Sequence, residues 1–223
     1  METTFYPQAS GSQTKCFDGW VRRYYNSHGE EWSSMRTGAA DYAESNNISD
    51  GGVFYQTSTA DTDKWMQIRR GLFGFYCASI AGAAVTSAKF SIYVDAKFTD
   101  FNDTLALVVC TPSSNTVIAT SDYLNAFGST LIADEILVSD LTLNAYNDIT
   151  LNAAGLAAIG ETFFIGMRIG NDFHDTEPTW AYNKAAGINV QMAENTNKPK
   201  LIVTHEPLSP NGGASYYGSF ANY

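Results

Sequence analysis

Apolar residues alternate with polar ones, or form short unbroken runs, along most of the chain, and this pattern predicts β-strands. In residues 85–94 (VTSAKFSIYV) the even-numbered positions form the more apolar face, which should point into a core. Residues 105–110 (LALVVC) are apolar throughout, as in a strand buried on both faces. The predicted strands are residues 65–75, 85–94, 105–110, 162–169 and 199–205, with weaker runs at 19–25, 53–57, 116–119, 136–138, 148–151 and 188–192.

Helical patterns are scarce. Residues 152–159 (NAAGLAAI) predict a short helix that Asn152 can cap, and residues 121–127 predict another turn with Ser121 or Asp122 as the cap. Strands and helices do not alternate as they would in a doubly wound fold. The sequence therefore predicts an all-β antiparallel β-sandwich of jelly-roll type with one or two short helices.

Changes in composition divide the chain into three parts. We expect residues 1–13 to form an N-terminal arm and residues 14–205 to form a single jelly-roll domain. Within that domain, the polar residues 27–52 form either a long surface loop or an excursion carrying short strands. Residues 206–223 form a Gly/Ser/Tyr-rich C-terminal tail.

The charge balance restricts the classes of partner. The 223 residues carry a net charge of −10, which argues against nucleic acid or an anionic membrane as the main partner. No apolar run is long enough for a membrane helix, and the N-terminal residues do not resemble a signal peptide. Cys16, Cys77 and Cys110 are widely spaced, which predicts buried thiols and synthesis in a reducing compartment.

Four segments carry a resemblance to a known family. They are residues 17–22 (FDGWVR), 65–94 (WMQIRRGLFGFYCASIAGAAVTSAKFSIYV), 151–159 (LNAAGLAAI) and 199–205 (PKLIVTH). Together they make the chain similar to DNRLRE-type jelly-roll domains, which look like carbohydrate-binding modules and also occur in phage proteins. The chain departs from the family pattern at Tyr76, where the family's turn has an aspartate. The resemblance implies a jelly-roll fold more specifically than any one function.

No catalytic constellation emerges from the sequence. The three histidines lack the close spacing of a transition-metal site, and no G-x-S-x-G motif is present. Adjacent acidic residues such as Glu30 and Glu31 point to opposite faces of a strand, so they make poor pairs for glycoside hydrolysis. We therefore expect a non-enzymatic protein.

Oxygen-rich loops leave one metal as an alternative. Asp172 and Asp175 lie in the densest of these loops and could hold a structural calcium ion, which takes six to eight oxygen ligands. Aspartate is also an ordinary turn former, which explains the same residues without a metal. No other cofactor is predicted.

Aromatic residues supply the candidate binding surfaces. Trp32 and Trp180 lie in polar surroundings and, with Tyr24 and Tyr25, are predicted to be exposed contacts for a glycan or a protein. Trp65 begins an apolar strand and is predicted to belong to the core. The aromatic residues predicted to dock the tail on a neighbour are Tyr216, Tyr217, Phe220 and Tyr223.

Two pairs of arginines lie inside predicted strands. In each of the pairs Arg22-Arg23 and Arg69-Arg70, adjacent side chains point to opposite faces. One member of each pair should therefore be buried and should need an acidic partner.

Two classes of function stay open. The first is a virion structural protein, a capsid decoration (cement) protein or a head or tail fibre component. It would be made in the host cytoplasm and would act by self-association, with a trimer favoured, and by docking on a major capsid or tail protein. The second is a carbohydrate-binding module that recognises a glycan, for example at a host surface. An oligomer with buried aromatics would favour the first, and a monomer with an open aromatic face would favour the second.

Overall fold

The computed structural model describes residues 1–9, 12–45 and 51–208. Within these ranges the chain is mostly antiparallel β-sheet. The strands are β1 (Glu2–Phe5), β2 (Asp18–Tyr24), β3 (Tyr42–Glu44), β4 (Gly51–Thr57), β5 (Trp65–Tyr76), β6 (Val85–Thr99), β7 (Thr104–Cys110), β8 (Phe127–Leu131), β9 (Ile136–Leu137), β10 (Ala145–Thr150), β11 (Thr162–Ile169), β12 (Ala185–Val190) and β13 (Lys200–His205).

Four short α-helices connect the strands: α1 (Trp32–Thr37), α2 (Asp122–Asn125), α3 (Ala153–Ala158) and α4 (Gly170–His174). The predicted cap of α3 is confirmed, because the Asn152 side chain accepts a hydrogen bond from the Gly155 N–H at 3.1 Å. The sequence predicted one or two helices and missed α1 and α4, which are only one to two turns long. None of the helices in the described ranges is long and apolar enough to cross a membrane.

Two long strands join the layers of the sandwich. β5 pairs with β4 near its start, with β11 near its end, and with β2 along its other edge. β6 pairs with β13 and β10 along its first half and with β12 along its second half. Phe90 of β6 faces Phe73 and Phe75 of β5, with ring centroids 5.1 and 6.0 Å apart. The predicted all-β antiparallel sandwich is confirmed.

The predicted strands agree with the observed ones except at residues 116–119, where the prediction is wrong. Here the Asp122 carboxylate accepts hydrogen bonds from the N–H groups of Ser113 and Ala119, both at 2.8 Å. These bonds hold the segment as an irregular loop. The predicted inward face of residues 85–94 is confirmed from Ala88 to Val94, and the three cysteines are buried free thiols, as predicted.

The N-terminal residues differ from the predicted arm. β1 pairs with β13, the last strand, so that residues 2–5 belong to the sheet. The Met1 ammonium group donates to the His205 carbonyl at 2.6 Å, and the Thr3 hydroxyl lies 3.0 Å from Nε2 of His205. The strand propensity of Thr3 and Thr4 and the free edge of β13 account for this pairing.

Residues 27–52 form an excursion with structure of its own. The described part contains helix α1 and the short strand β3, and it ends as β4 begins. The Trp32 ring on α1 packs edge-on against Tyr55 of β4 and Trp65 of β5, with centroid distances of 5.3 and 4.7 Å. The excursion is therefore fixed to the sandwich by a buried aromatic cluster.

Candidate functional site

One outward face of the sheet carries a line of large side chains across six neighbouring strands, β3, β2, β5, β4, β12 and β6. Directly paired residues of adjacent strands share a face, so the strand register fixes this line. In order, the paired residues are Tyr42, Arg22, Arg69, Phe54, Gly187 and Phe98. We call the five residues with side chains, Tyr42, Arg22, Arg69, Phe54 and Phe98, the aromatic–arginine row.

Alternation along each strand places these side chains outside. On β2, Arg22 is half-buried and Tyr24 is exposed, and both share a face with the buried Trp20, whereas Val21 on the opposite face is fully buried. On β4, the half-buried Phe54 is flanked by buried residues on the opposite face. The same period-two pattern that builds the core therefore builds the row.

The Arg69 guanidinium is enclosed between aromatic rings. Its central carbon lies 4.0 Å from the centroid of Trp20 and 4.7 Å from that of Phe54. Phe54 in turn meets Phe98 at a centroid distance of 5.5 Å. Cation–π contacts of this kind hold a charged group in a fixed position at a partly exposed surface.

Tyr42 and Arg22 form the more open end of the row. The Arg22 guanidinium carbon lies 5.3 Å from the Tyr24 centroid, 5.4 Å from Tyr42 and 5.7 Å from Trp20. Tyr24 and Tyr42 are about 40% exposed. Arg22 also lies 3.6 Å from the Asp41 carboxylate. This end therefore offers flat rings next to charged hydrogen-bonding groups.

Acidic groups flank the same end. The Tyr42 hydroxyl donates to the Glu44 carboxylate at 2.6 Å, and this hydrogen bond raises the pKa of Tyr42. The Asp41 carboxylate accepts from the Tyr24 N–H at 2.6 Å. A ligand would meet guanidinium donors and carboxylate acceptors side by side.

Gly187 is the position in this line of paired residues that has no side chain. Its φ is +144°, and a Cβ built there would lie 2.1 Å from the Val53 carbonyl oxygen. Because Gly187 has no side chain, the rings of Phe54 and Phe98 meet across strand β12. Position 187 therefore requires glycine for its backbone conformation and for the contact between the rings of Phe54 and Phe98.

We expect Gly187→Ala to lower the free energy of unfolding by roughly 1–3 kcal/mol, because alanine is strained at this φ and clashes with backbone. The measurement is urea unfolding followed by tryptophan fluorescence. Gly160→Ala is the matched control, since a Cβ at Gly160 meets nothing within 4 Å. Equal stability of the two variants would contradict the assignment.

The structure separates the four aromatic residues that the sequence singled out. Tyr24 and Tyr25 are exposed, as predicted, and Tyr24 contacts the row through Arg22. Trp180 is half-buried, and its indole N–H donates to the Lys64 carbonyl at 3.0 Å. The open platform predicted at Trp180 is therefore partly covered.

The prediction for Trp32 is wrong. Trp32 is only 3% exposed, because it lies on the inner face of α1 with Met35 one turn later. The spacing of Trp32 and Met35 at i and i+3 was the sequence signal for this helix, but the surrounding Glu and Ser residues obscured it. Trp32 belongs to the core and cannot serve as a surface contact.

The predicted calcium ligands are also wrong. Arg70 contacts both carboxylate oxygens of the buried Asp172, at 2.7 and 2.8 Å, and Arg168 contacts them at 2.9 and 3.0 Å. Arg36 lies 3.4 Å away and also pairs with Asp175. Guanidinium groups thus occupy the positions that a cation would need.

Across the described ranges, no group of three or more His, Cys, Asp and Glu side chains is arranged to hold a metal ion.

The Asp172 cluster confirms one arginine prediction. Burial by itself would raise the pKa of Asp172, but the charges and hydrogen bonds of Arg70 and Arg168 lower this pKa well below its usual range. Arg70, 4% exposed, is the buried member of its pair. For the other pair the predicted burial is wrong, because Arg22 and Arg23 are both half-buried, but Arg23 has the predicted acidic partner, Glu30.

Most of the row was not predicted from the sequence. Its positions Tyr42, Phe54 and Phe98 are far apart in the chain, and only the strand register brings them together. The predicted docking residues of the tail, Tyr216, Tyr217, Phe220 and Tyr223, lie outside the described residues.

The chain matches no protein-family model, and no curated protein is similar to it in sequence.

Proposed function

We propose that this chain is a non-enzymatic virion structural protein that acts by contact, as a capsid decoration (cement) protein or a head or tail fibre component. It would self-associate, with a trimer favoured, and would dock on a major capsid or tail protein. The aromatic–arginine row carries this proposal. Trp, Tyr and Arg dominate the binding energy of protein interfaces, and here they are stacked on a rigid sheet.

Other observations support the same proposal. The low content of charged residues, 16%, suits a surface that makes many protein contacts, and the resemblance to phage jelly-roll domains suggests the virion. The half-buried rings of Phe54 and Phe98 also fit a protein contact better than a sugar contact, because they bring no polar group of their own.

The solution mass of the full chain, measured by light scattering over a range of concentrations, tests this proposal. We expect a trimer or a larger closed ring, since most homo-oligomers have closed symmetry. A chain that stays monomeric at every concentration would contradict self-association. Sedimentation with purified capsids or tails then tests docking on a neighbour.

Glycan binding is the second candidate, and the open end of the row favours it. Tyr24 and Tyr42 offer exposed rings, while Arg22, Asp41 and Glu44 offer donors and acceptors for hydroxyl groups. Ligand sites commonly combine apolar walls with a few oriented polar groups. This function is compatible with a virion protein that holds glycans at a host surface.

A glycan array tests the second candidate. If a sugar stacks on Tyr24, Tyr24→Ala should weaken its binding about three- to tenfold, the value of one aromatic contact. Tyr182→Ala removes an even more exposed ring elsewhere and is the control. Absence of binding on the array, or equal loss in both variants, would contradict the glycan function.

A further inference from the structure

We infer that the aromatic–arginine row binds the C-terminal segment, residues 209–223, of a second copy of this chain. The inference rests on the proposed self-association and names the contact that produces it. It follows from the chemistry of the segment, from the spacing of its aromatic residues, and from the distance between the row and the end of β13.

The chemistry of the two surfaces is complementary. The segment SPNGGASYYGSFANY contains four aromatic residues and no charged side chain. On the row, Arg22 and Arg69 present guanidinium groups stacked with rings. Additional rings can pack against these groups and against Phe54 and Phe98 without burying an unpaired charge from the segment. Small residues between the aromatics allow the backbone to approach the sheet closely.

The spacings also match. Tyr217, Phe220 and Tyr223 recur every third residue, which is one turn of a polyproline II helix, so in that conformation they share a face and are spaced about 9.3 Å apart. On the row, Arg22 and Phe54 are two strands apart, and so are Phe54 and Phe98. Two strand spacings are about 9.5 Å between backbone positions, and the rings of Phe54 and Phe98 lean towards each other to a centroid distance of 5.5 Å. Three rings of the segment can therefore meet three positions of the row at once, whereas Tyr216 falls outside this register.

The distance from the end of β13 to the row favours binding of the segment from a second copy over binding of the segment from the same chain. The end of β13 lies beside the start of β6, where the Glu206 N–H donates to the Ala84 carbonyl at 2.9 Å. From Val85 to Phe98 the strand runs thirteen residue steps, about 43 Å. The eleven steps from Glu206 to Tyr217 span at most about 40 Å. Tyr217 of one copy would therefore fall short of Phe98, the near end of its own row.

The resulting contact joins two different surfaces. A row on one copy receives the segment of the next, which is a head-to-tail arrangement that closes into a ring when the rotation between copies permits. Such a contact agrees with the favoured trimer.

The test uses full-length variants and light scattering. The row variant is Arg22→Ala with Phe98→Ala, and the segment variant is Tyr217→Ser with Phe220→Ser and Tyr223→Ser. We expect each to be monomeric under conditions in which the natural chain is an oligomer, with the midpoint of association raised at least tenfold in concentration. Circular dichroism and thermal unfolding verify that both variants fold. Arg22→Lys is a second row variant that keeps the charge but removes the flat guanidinium.

Two controls match these changes. Lys89→Ala with Tyr146→Ala removes one cation and one exposed ring from a different surface, and Tyr216→Ser removes the ring that is out of register. Both should keep the oligomer of the natural chain. An equal mixture of the row variant and the segment variant should form a species of two chains, because one intact row and one intact segment remain.

Several outcomes would overturn the inference. If the natural chain is an oligomer and both variants keep its mass, this contact is wrong but self-association stands. If the natural chain is monomeric, both the proposed self-association and this contact are contradicted. A mixture that stays monomeric, or variants that change thermal stability without changing mass, would exclude binding to a second copy. Glycan binding that is lost in the row variant, with monomeric chains throughout, would assign the row to a sugar instead.

Discussion

Replacing Asp172 by asparagine should lower the free energy of unfolding by about 3–5 kcal/mol at neutral pH, the cost of breaking a buried ion pair. Arg70 and Arg168 each make two hydrogen bonds to this carboxylate. Asparagine removes the negative charge of Asp172. The two guanidinium groups would then stay buried without a negative charge to compensate theirs. Chemical unfolding of the natural chain and the variant at several pH values measures the difference.

The pH dependence has a definite sign. Because the pKa of Asp172 is lowered in the folded chain, its stabilising contribution is present above the ordinary value of 3.8 and is lost as the pH falls below it. The two unfolding curves should therefore approach each other in acid. Asp175→Asn is the control, since this exposed residue pairs with Arg36 at the surface and its loss should cost under about 1 kcal/mol. Equal effects of the two substitutions would contradict a buried cluster.

Asp18→Asn should stabilise the chain by roughly 2–4 kcal/mol at pH 8 and have little effect near pH 4. The Asp18 carboxyl is fully buried, and one of its oxygens accepts the Ala193 N–H at 2.8 Å. Burial, and after it the charge of Glu194, raises the pKa of Asp18 to about 8. Asparagine keeps the shape and one acceptor but never ionises.

The sign again follows from the proton balance. Between pH 4 and pH 8 the folded chain keeps the proton on Asp18 while the unfolded chain releases it, so the natural chain loses stability as the pH rises. Thermal unfolding across this range should show a rising advantage for the variant. Asp134→Asn changes an exposed aspartate and should give a constant difference. If the difference in stability between Asp18→Asn and the natural chain is also constant from pH 4 to pH 8, Asp18 does not titrate in this range and another group causes any pH dependence.

Local patterns were sufficient to predict most of the sandwich. The alternation in residues 85–94 and the apolar run at 105–110 each depend on a single strand, and β6 and β7 follow them. The short strands β1 and β3 were missed because their few residues carry no clear period. Their pairing with β13 and β2 supplies the stability that their own sequences lack.

The candidate site could be predicted only in part, because it depends on contacts between distant residues. Arg70 could be predicted to need an acidic partner, but Asp172 lies 102 positions later and only the fold identifies it. In the same way, Tyr24 could be recognised as exposed, whereas its place beside Arg22 and Tyr42 depends on the register of β2 and β3. The error at Trp32 arose from judging exposure by polar neighbours in sequence.

The pairing of β1 with β13 has a consequence for biosynthesis. These strands lie at opposite ends of the described chain, and the Met1 ammonium group bonds to a carbonyl 204 positions away. At about 5–20 residues per second, a ribosome needs about 10–40 s to make the intervening chain, so the first strand waits that long for its partner. Such distant pairing also slows folding itself. This edge of the sheet is therefore completed only after β13 has been synthesised, and a product truncated before β13 would keep the edge of β1 open to aggregation.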